Sequence, residues 1–229
     1  MNGNAQAPES DSHKDLVGRV SYTNQWANNQ FSTAVSTYQG GVRQSSKFDY
    51  RPDGSRAAFV LKDTSTAIGG YATRQYFGWD GQFSHVWRPG TTTLRLEIVG
   101  GTQAGTATSD ESPKTKDGLT GDLYERPMLG GTAYFIQNLG KSNFQFVVKY
   151  DFFDGNAHTS GDEIGLSLTK TGVADLRYDT WGIGLNFYYR NLTTMLYYDI
   201  VKNETSANLP GYKKDLKDNF LTVRAQVKF

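Results

Sequence analysis

Along residues 219–229 oily and polar side chains take strict turns. Leu221, Val223, Ala225, Val227 and Phe229 alternate with Thr222, Arg224, Gln226 and Lys228. Alternation sends the two sets to opposite faces of a strand. Two environments suit such a strand. It could close an outer-membrane barrel, with lipid outside and water inside, or a soluble sheet with one face on a core. The pattern recurs upstream. Val20 and Tyr22 oppose Arg19, Ser21 and Thr23. Leu94, Leu96 and Ile98 oppose Thr93, Arg95 and Glu97. Phe144, Phe146, Val148, Tyr150 and Phe152 oppose Gln145, Val147, Lys149 and Asp151. Trp181, Ile183, Leu185, Phe187 and Tyr189 oppose Gly182, Gly184, Asn186, Tyr188 and Arg190. For Arg126–Gln137 the phase is ambiguous.

The connections sort by length. Strands over Leu16–Asn24 and Gln30–Gln39 meet at a tight turn, Trp26 to Asn29. Thr73–Val86 and Thr92–Gly100 meet at Arg88-Pro89-Gly90. Arg126–Gln137 and Asn143–Phe153 are joined by residues 138–142. Tyr178–Arg190 and Thr193–Lys202 meet at Asn191-Leu192. Between these pairs lie long polar stretches: 40–72, with a turn signal at Arg51-Pro52-Asp53-Gly54, then 101–125, 154–177 and 203–218. Short and long connections therefore alternate without a break, ahead of a last strand. That order is the topology of an outer-membrane barrel, with short turns on the periplasmic side and long loops outside. The fold predicted is all-β, an antiparallel transmembrane β-barrel of about nine strands over residues 15–229, behind a polar, disordered tail over 1–14. Aromatics gather at both strand ends, Trp26, Trp87, Tyr189 and Phe229 at the short turns and Tyr150 and Phe152 at the other end, as two bilayer interfaces favour.

Composition narrows the function classes. The chain has 229 residues, 24 Lys+Arg against 23 Asp+Glu, and no cysteine. It has no global basic field for nucleic acid, no disulfide, no thiolate metal site and no thiol nucleophile. No apolar run nears the roughly 18 residues of a spanning helix. Residues 1–11 lack the basic start and apolar stretch of a secretory signal, so the export signal is expected to be absent from this chain. The histidines are His13, His85 and His158. None has the Ser or carboxylate spacing of a catalytic pair, so no catalytic residue, cofactor or metal site is expected. Asp110-Glu111 and Asp162-Glu163 read as solvated loop pairs.

Three stretches carry a family resemblance. They are Asp15-Leu16-Val17-Gly18-Arg19-Val20-Ser21-Tyr22; Gly78-Trp79-Asp80-Gly81-Gln82-Phe83-Ser84 with Gly90-Thr91-Thr92-Thr93-Leu94-Arg95-Leu96-Glu97; and Val148-Lys149-Tyr150-Asp151-Phe152-Phe153-Asp154 with the closing Leu221–Phe229. In order and spacing they resemble the C-terminal half of the phosphate-selective porin O/P family. That resemblance implies a segment of a 16-stranded, trimeric outer-membrane channel that passes small hydrophilic solutes and favours anions such as phosphate. It also implies contact with outer-membrane lipid and with the barrel-assembly machinery, which would read Phe229 as its signal. An odd count near nine departs from the even count of single-chain barrels.

If the polar face lines a channel, Arg19, Arg74, Arg95, Lys149, Arg190, Arg224 and Lys228 point inward, with Asp80, Glu97, Asp151 and Asp199 among them. Cations along a confined water path attract anions, and the arginine fork suits phosphate or carboxylate. The plainer reading is a ladder of cation–carboxylate braces. Arg95 with Glu97 and Lys149 with Asp151 are same-face neighbours that would pair. Arg224 and Lys228 have no acidic neighbour on their own strand and are the better anion-path candidates. The competing function is a soluble or surface β-sandwich that binds carbohydrate or a partner through its long loops. A third is a barrel enzyme using His85.

Overall fold

The computed structural model describes residues 13–44, 46, 48–53, 58–63, 68–111 and 122–228. Residues 1–12 of the tail expected over 1–14, and Phe229, lie outside the described residues. Strand β1 is Leu16–Trp26, β2 Asn29–Arg43, β3 Phe48–Pro52, β4 Phe59–Asp63, β5 Tyr71–Trp87 and β6 Gly90–Gly105. Then come β7 Leu123–Asn138, β8 Phe144–Asp154, β9 Arg177–Tyr189, β10 Leu192–Asn203 and β11 Phe220–Val227. Nine of them form one antiparallel path, β1-β2-β5-β6-β7-β8-β9-β10-β11. Its order follows the sequence because each short turn makes a hairpin and each long loop returns to the next free edge. The closing pairs Trp26↔Asn29, Trp87↔Gly90 and Tyr189↔Leu192 leave two-residue turns. Ala27 and Arg190 open two of them at φ of 45° and 50°, the left-handed conformation that matches hairpin turn to strand twist.

Register fixes the faces. One row across the sheet runs Thr23, Ser32, Gln82, Arg95, Tyr134, Lys149, Gly182, Asp199. The next row runs Tyr22, Thr33, Gly81, Leu96, Ala133, Tyr150, Trp181, Ile200. The first is polar apart from one glycine and, beyond Asp199 on β11, Phe220; the second is largely apolar. The rows also settle β7, whose phase the sequence left open: Tyr134 belongs to the polar face, Ala133 and Phe135 to the apolar one. The apolar face is uncovered. Trp181 is 53% exposed, Leu185 39%, Val223 66% and Val227 53%. A β-sandwich would bury these side chains against a second sheet. A contiguous band of this kind suits lipid contact. Aromatic pairs flank it at both ends: Trp26 with Phe83 and Phe144 with Phe187 by the short turns, Tyr150 with Trp181 and Phe152 by the long loops.

The two clusters of buried apolar side chains sit at the long-loop end. Val42, Ala72, Ala104 and Leu123 pack where β2, β5, β6 and β7 emerge. Ile164, Leu176 and Leu209 pack with Tyr178 and Tyr212 where the third and fourth loops meet. Three expectations need correction here. The stretch 40–72 is not all loop: it holds the β3–β4 hairpin, and β3 pairs in parallel with the start of β7 at Asp49↔Leu123 and Tyr50↔Tyr124. The stretch 101–125 is shorter than expected as a loop, because β6 runs on to Gly105 and β7 begins at Leu123. His13 is not in a loose tail, for its ring stacks on Tyr71 with centroids 4.1 Å apart.

Asp215 in the fourth loop ties that loop to the end of β10. Its carboxylate accepts the Asn203 backbone N–H at 2.8 Å and the Lys202 ammonium at 3.0 Å. The backbone donor, then Lys202, holds the carboxyl below its ordinary range. A depressed carboxyl pKa adds stability above the unfolded value and loses it as pH falls through the folded one. Backbone exchange across 203–219 should therefore rise below about pH 4, and Asp215→Asn should flatten that dependence. The effect is at most about 1 kcal/mol at so exposed a site. Hydrogen exchange between pH 3 and 6 reads it.

Candidate lumen-facing charged site

Three of the seven candidate cations are braces built by one device. Lys149 on β8 lies opposite Gly182 on β9, which lies opposite Asp199 on β10. A Cβ at Gly182 would meet Asp199 Oδ1 at 2.6 Å and Lys149 Cε at 3.0 Å. With glycine there, Lys149 reaches over β9 to Asp199 at 3.0 Å and also meets Asp151 at 3.1 Å. Gly184 does the same for the Tyr197 ring, which a Cβ would approach to 2.5 Å. Arg74 on β5 is opposite Gly40 on β2 and meets Asp15 beside β1 at 3.3 Å, with the Tyr38 hydroxyl as a second partner. Arg19 on β1 forks onto Asp80 on β5 at 2.7 and 3.0 Å, over the small residues Ala34 and Ser36 of β2. In each case a small residue on the middle strand lets a long cation span it.

The remaining four differ. Arg190 is not on the wall: it is the first turn residue between β9 and β10, with its guanidinium over the Tyr189 ring at 5.4 Å. The alternation of β9 stops at Tyr189, so the inward phase assigned to residue 190 lapses. Lys228 follows the last residue of β11 at the short-turn rim, where its backbone N–H donates to Asn191. Arg95 does not pair with Glu97. Its Nε donates to the neutral Gln82 at 2.7 Å. Arg224 has no hydrogen-bond or ion-pair partner among the described residues. It lies opposite Met195 on the polar face of β11.

Charge is thus uneven along the polar face. A concavity of about 350 Å3 holds Arg19, Asp80, Arg95 and Glu97, two cations against two carboxylates. Beside it, a concavity of about 490 Å3 holds Arg95, Lys149, Arg224 and Asp199, three cations against one carboxylate, with Tyr134, Tyr197, Gln145 and Asn186 on its walls. Arg95 and Tyr134 belong to both. Tyr134 was illegible in the sequence because the phase of β7 was.

A second charged group lies at the long-loop end, and sequence reading missed it. Arg126 near the start of β7 donates to Asp175 at 3.0 Å, both side chains being fully buried. Arg126 also donates to the Thr106 carbonyl at 2.8 Å, and its guanidinium lies over the Phe59 and Tyr124 rings. Asp175 further accepts from Asn156 at 2.9 Å and from the Gly172 backbone at 2.7 Å. Beside them Arg51 joins Asp49 and Glu125. These residues fasten loops to the sheet. His85 has a structural partner too, with Nδ1 2.8 Å from Asn29 Oδ1 across the first hairpins. Among the described residues no group of three or more His, Asp or Glu could hold a metal.

Residues 121–229 match the family model for phosphate-selective porins O and P. The match takes in β7 to β11 and with them Tyr134, Lys149, Asp199 and Arg224 of the larger concavity. It supports an outer-membrane porin or channel as the function class. No curated protein matches the chain. A solved structure described as the copper transporter OprC overlaps it with a TM-score of 0.40 at 13% identity, over 83% of this chain and 29% of that one. The chain thus spans under a third of that protein's length.

Proposed function

We propose that the polar face of this sheet is part of the wall of a water-filled outer-membrane channel, and that Arg95 and Arg224 bias it toward small anions. The observation that carries the reading is the charge excess in the larger concavity. Arg19, Arg74 and Lys149 spend their charge on carboxylates and brace the wall. Arg95 and Arg224 do not, and a cation facing confined water raises the local anion concentration. Phosphate and carboxylate suit them through the guanidinium fork. Apolar exposure on the opposite face favours the membrane over a loop-binding sandwich. Assembly by the barrel machinery through Phe229 and a trimeric state belong to the same reading.

Reversal potentials of the assembled channel in a planar bilayer under a salt gradient test it. Arg95→Glu with Arg224→Glu should swing permeability from anions to cations by about tenfold, as rings of charge set selectivity. Asp80→Asn, which frees a braced Arg19, should shift it further toward anions. Unchanged reversal potentials in the double variant would remove both arginines from the ion path.

A further inference from the structure

The smaller concavity of the polar face, about 350 Å3, keeps one unmatched cation and one unmatched carboxylate after its internal pairing. Asp80 on β5 lies directly opposite Glu97 on β6. Like charges so placed destabilise a sheet. Arg19 relieves Asp80 by forking onto it at 2.7 and 3.0 Å. Glu97 stays exposed, with no hydrogen bond or ion pair among the described residues. Two positions before it, Arg95 donates from Nε to the neutral Gln82 at 2.7 Å, which leaves its charge unmatched. The two are same-face neighbours on one strand, roughly 7 Å apart at the backbone. Both line the concavity.

A wall that only needed bracing would carry no second carboxylate here. Glutamine at position 97 would fill the same space without setting a like charge against Asp80. A local rule broken in this way marks a functional position. The two charges also judge solutes differently from a single charge. A simple anion drawn to Arg95 meets repulsion from Glu97, and a simple cation drawn to Glu97 meets repulsion from Arg95. A solute that carries both charges satisfies both groups. The larger concavity is different, since there Arg95 joins Lys149 and Arg224 against Asp199 alone. Arg224 lies toward the short turns, in the row of Met195, Asn186 and Gln145. Glu97 lies on the other side of Arg95, toward the long-loop end of β6. Arg95 thus serves simple anions below it and a dipolar solute above.

We infer that Arg95 and Glu97 form a binding site for small zwitterions, solutes that hold an acidic group and an ammonium apart, as short peptides do. The anionic end takes the guanidinium fork. The ammonium takes the Glu97 carboxylate. The middle of the solute lies against Tyr134, opposite Arg95 on β7. Both charged partners face water, so the contacts hold weakly enough to release the solute onward. This rests on the channel reading above and adds the solute class at the same wall.

Swelling of phosphatidylcholine liposomes that hold the assembled channel tests it with two solutes of like size. Glycylglycine is a zwitterion that spans roughly 7 Å when extended, and N-acetylglycinamide is its uncharged counterpart. Glycylglycine should enter faster by about threefold, the weight of an exposed charge pair. Glu97→Gln should bring the two rates level, and so should Arg95→Gln. The variants should part in reversal potential, Glu97→Gln moving permeability toward anions and Arg95→Gln toward cations. Equal or slower entry of glycylglycine, a preference that survives either variant, or reversal potentials that neither variant moves would overturn the inference with the channel intact. No swelling with either solute would overturn the channel reading itself, and this inference with it.

Discussion

Asp175→Ala is expected to release the loop layer from the sheet at a cost of about 3–5 kcal/mol, the range for breaking one side of a buried ion pair. The reason is the environment of Arg126. Both side chains are fully buried at 3.0 Å, so truncating the carboxylate strands a guanidinium away from water. The same oxygen also holds Asn156, and its partner oxygen holds the Gly172 backbone, so two more donors lose their acceptor. Because Arg126 reaches Thr106 in the second loop and the Phe59 ring in the first insertion, the damage should cross all three loops. Limited proteolysis and exchange across 106–111 and 155–176 read the loss. Arg126→Met with Asp175→Leu should cost far less, since removing both charges leaves no stranded partner. Equal damage from the double variant would show that shape, not charge, fastens the loops.

The second large effect belongs to the apolar face. Leu196 on β10 lies between Leu185 on β9 and Val223 on β11, with about half its surface open. Leu196→Arg should destabilise the inserted protein by roughly 2–4 kcal/mol if that band meets the bilayer near its midplane. Thr222→Arg, on the polar face of the adjacent strand, should cost about 1 kcal/mol or less, since its side chain enters water. Urea unfolding from liposomes measures both. Equal costs would mean that the two faces share one solvent, and the membrane reading would fall.

Much of this was legible in the chain because strand period is local. Trp181, Ile183 and Leu185 announce one face and Asn186 the other, without any knowledge of partners. The turns at Ala27, Pro89 and Asn191 are legible for the same reason, since two or three residues decide them. Where period broke, so did the reading. Gly130-Gly131 blurs β7 and hid the phase of Tyr134 and Arg126. The β3–β4 hairpin is five residues a side, too short for alternation to stand out from a polar stretch. Arg190 continues the period of β9 on paper, yet the chain has already turned.

Which cations are spent on carboxylates is a different kind of fact. Lys149 reaches Asp199, fifty positions away, only because Gly182 lies between them in register. Arg19, with no carboxylate on its own strand, finds Asp80 on β5. Arg95 passes over Glu97 for Gln82. Charge counts along single strands could single out Arg224, which stays unpaired, but could not separate Arg95 from Lys149. By itself the sequence determined the alternating faces, the short and long connections and hence the order of strands, since each depends on neighbours within a few residues. Only the tertiary structure decided the register that pairs or frees each charge and the buried Arg126–Asp175 fastening. Those depend on distances between residues that the chain keeps far apart until the strands are laid side by side.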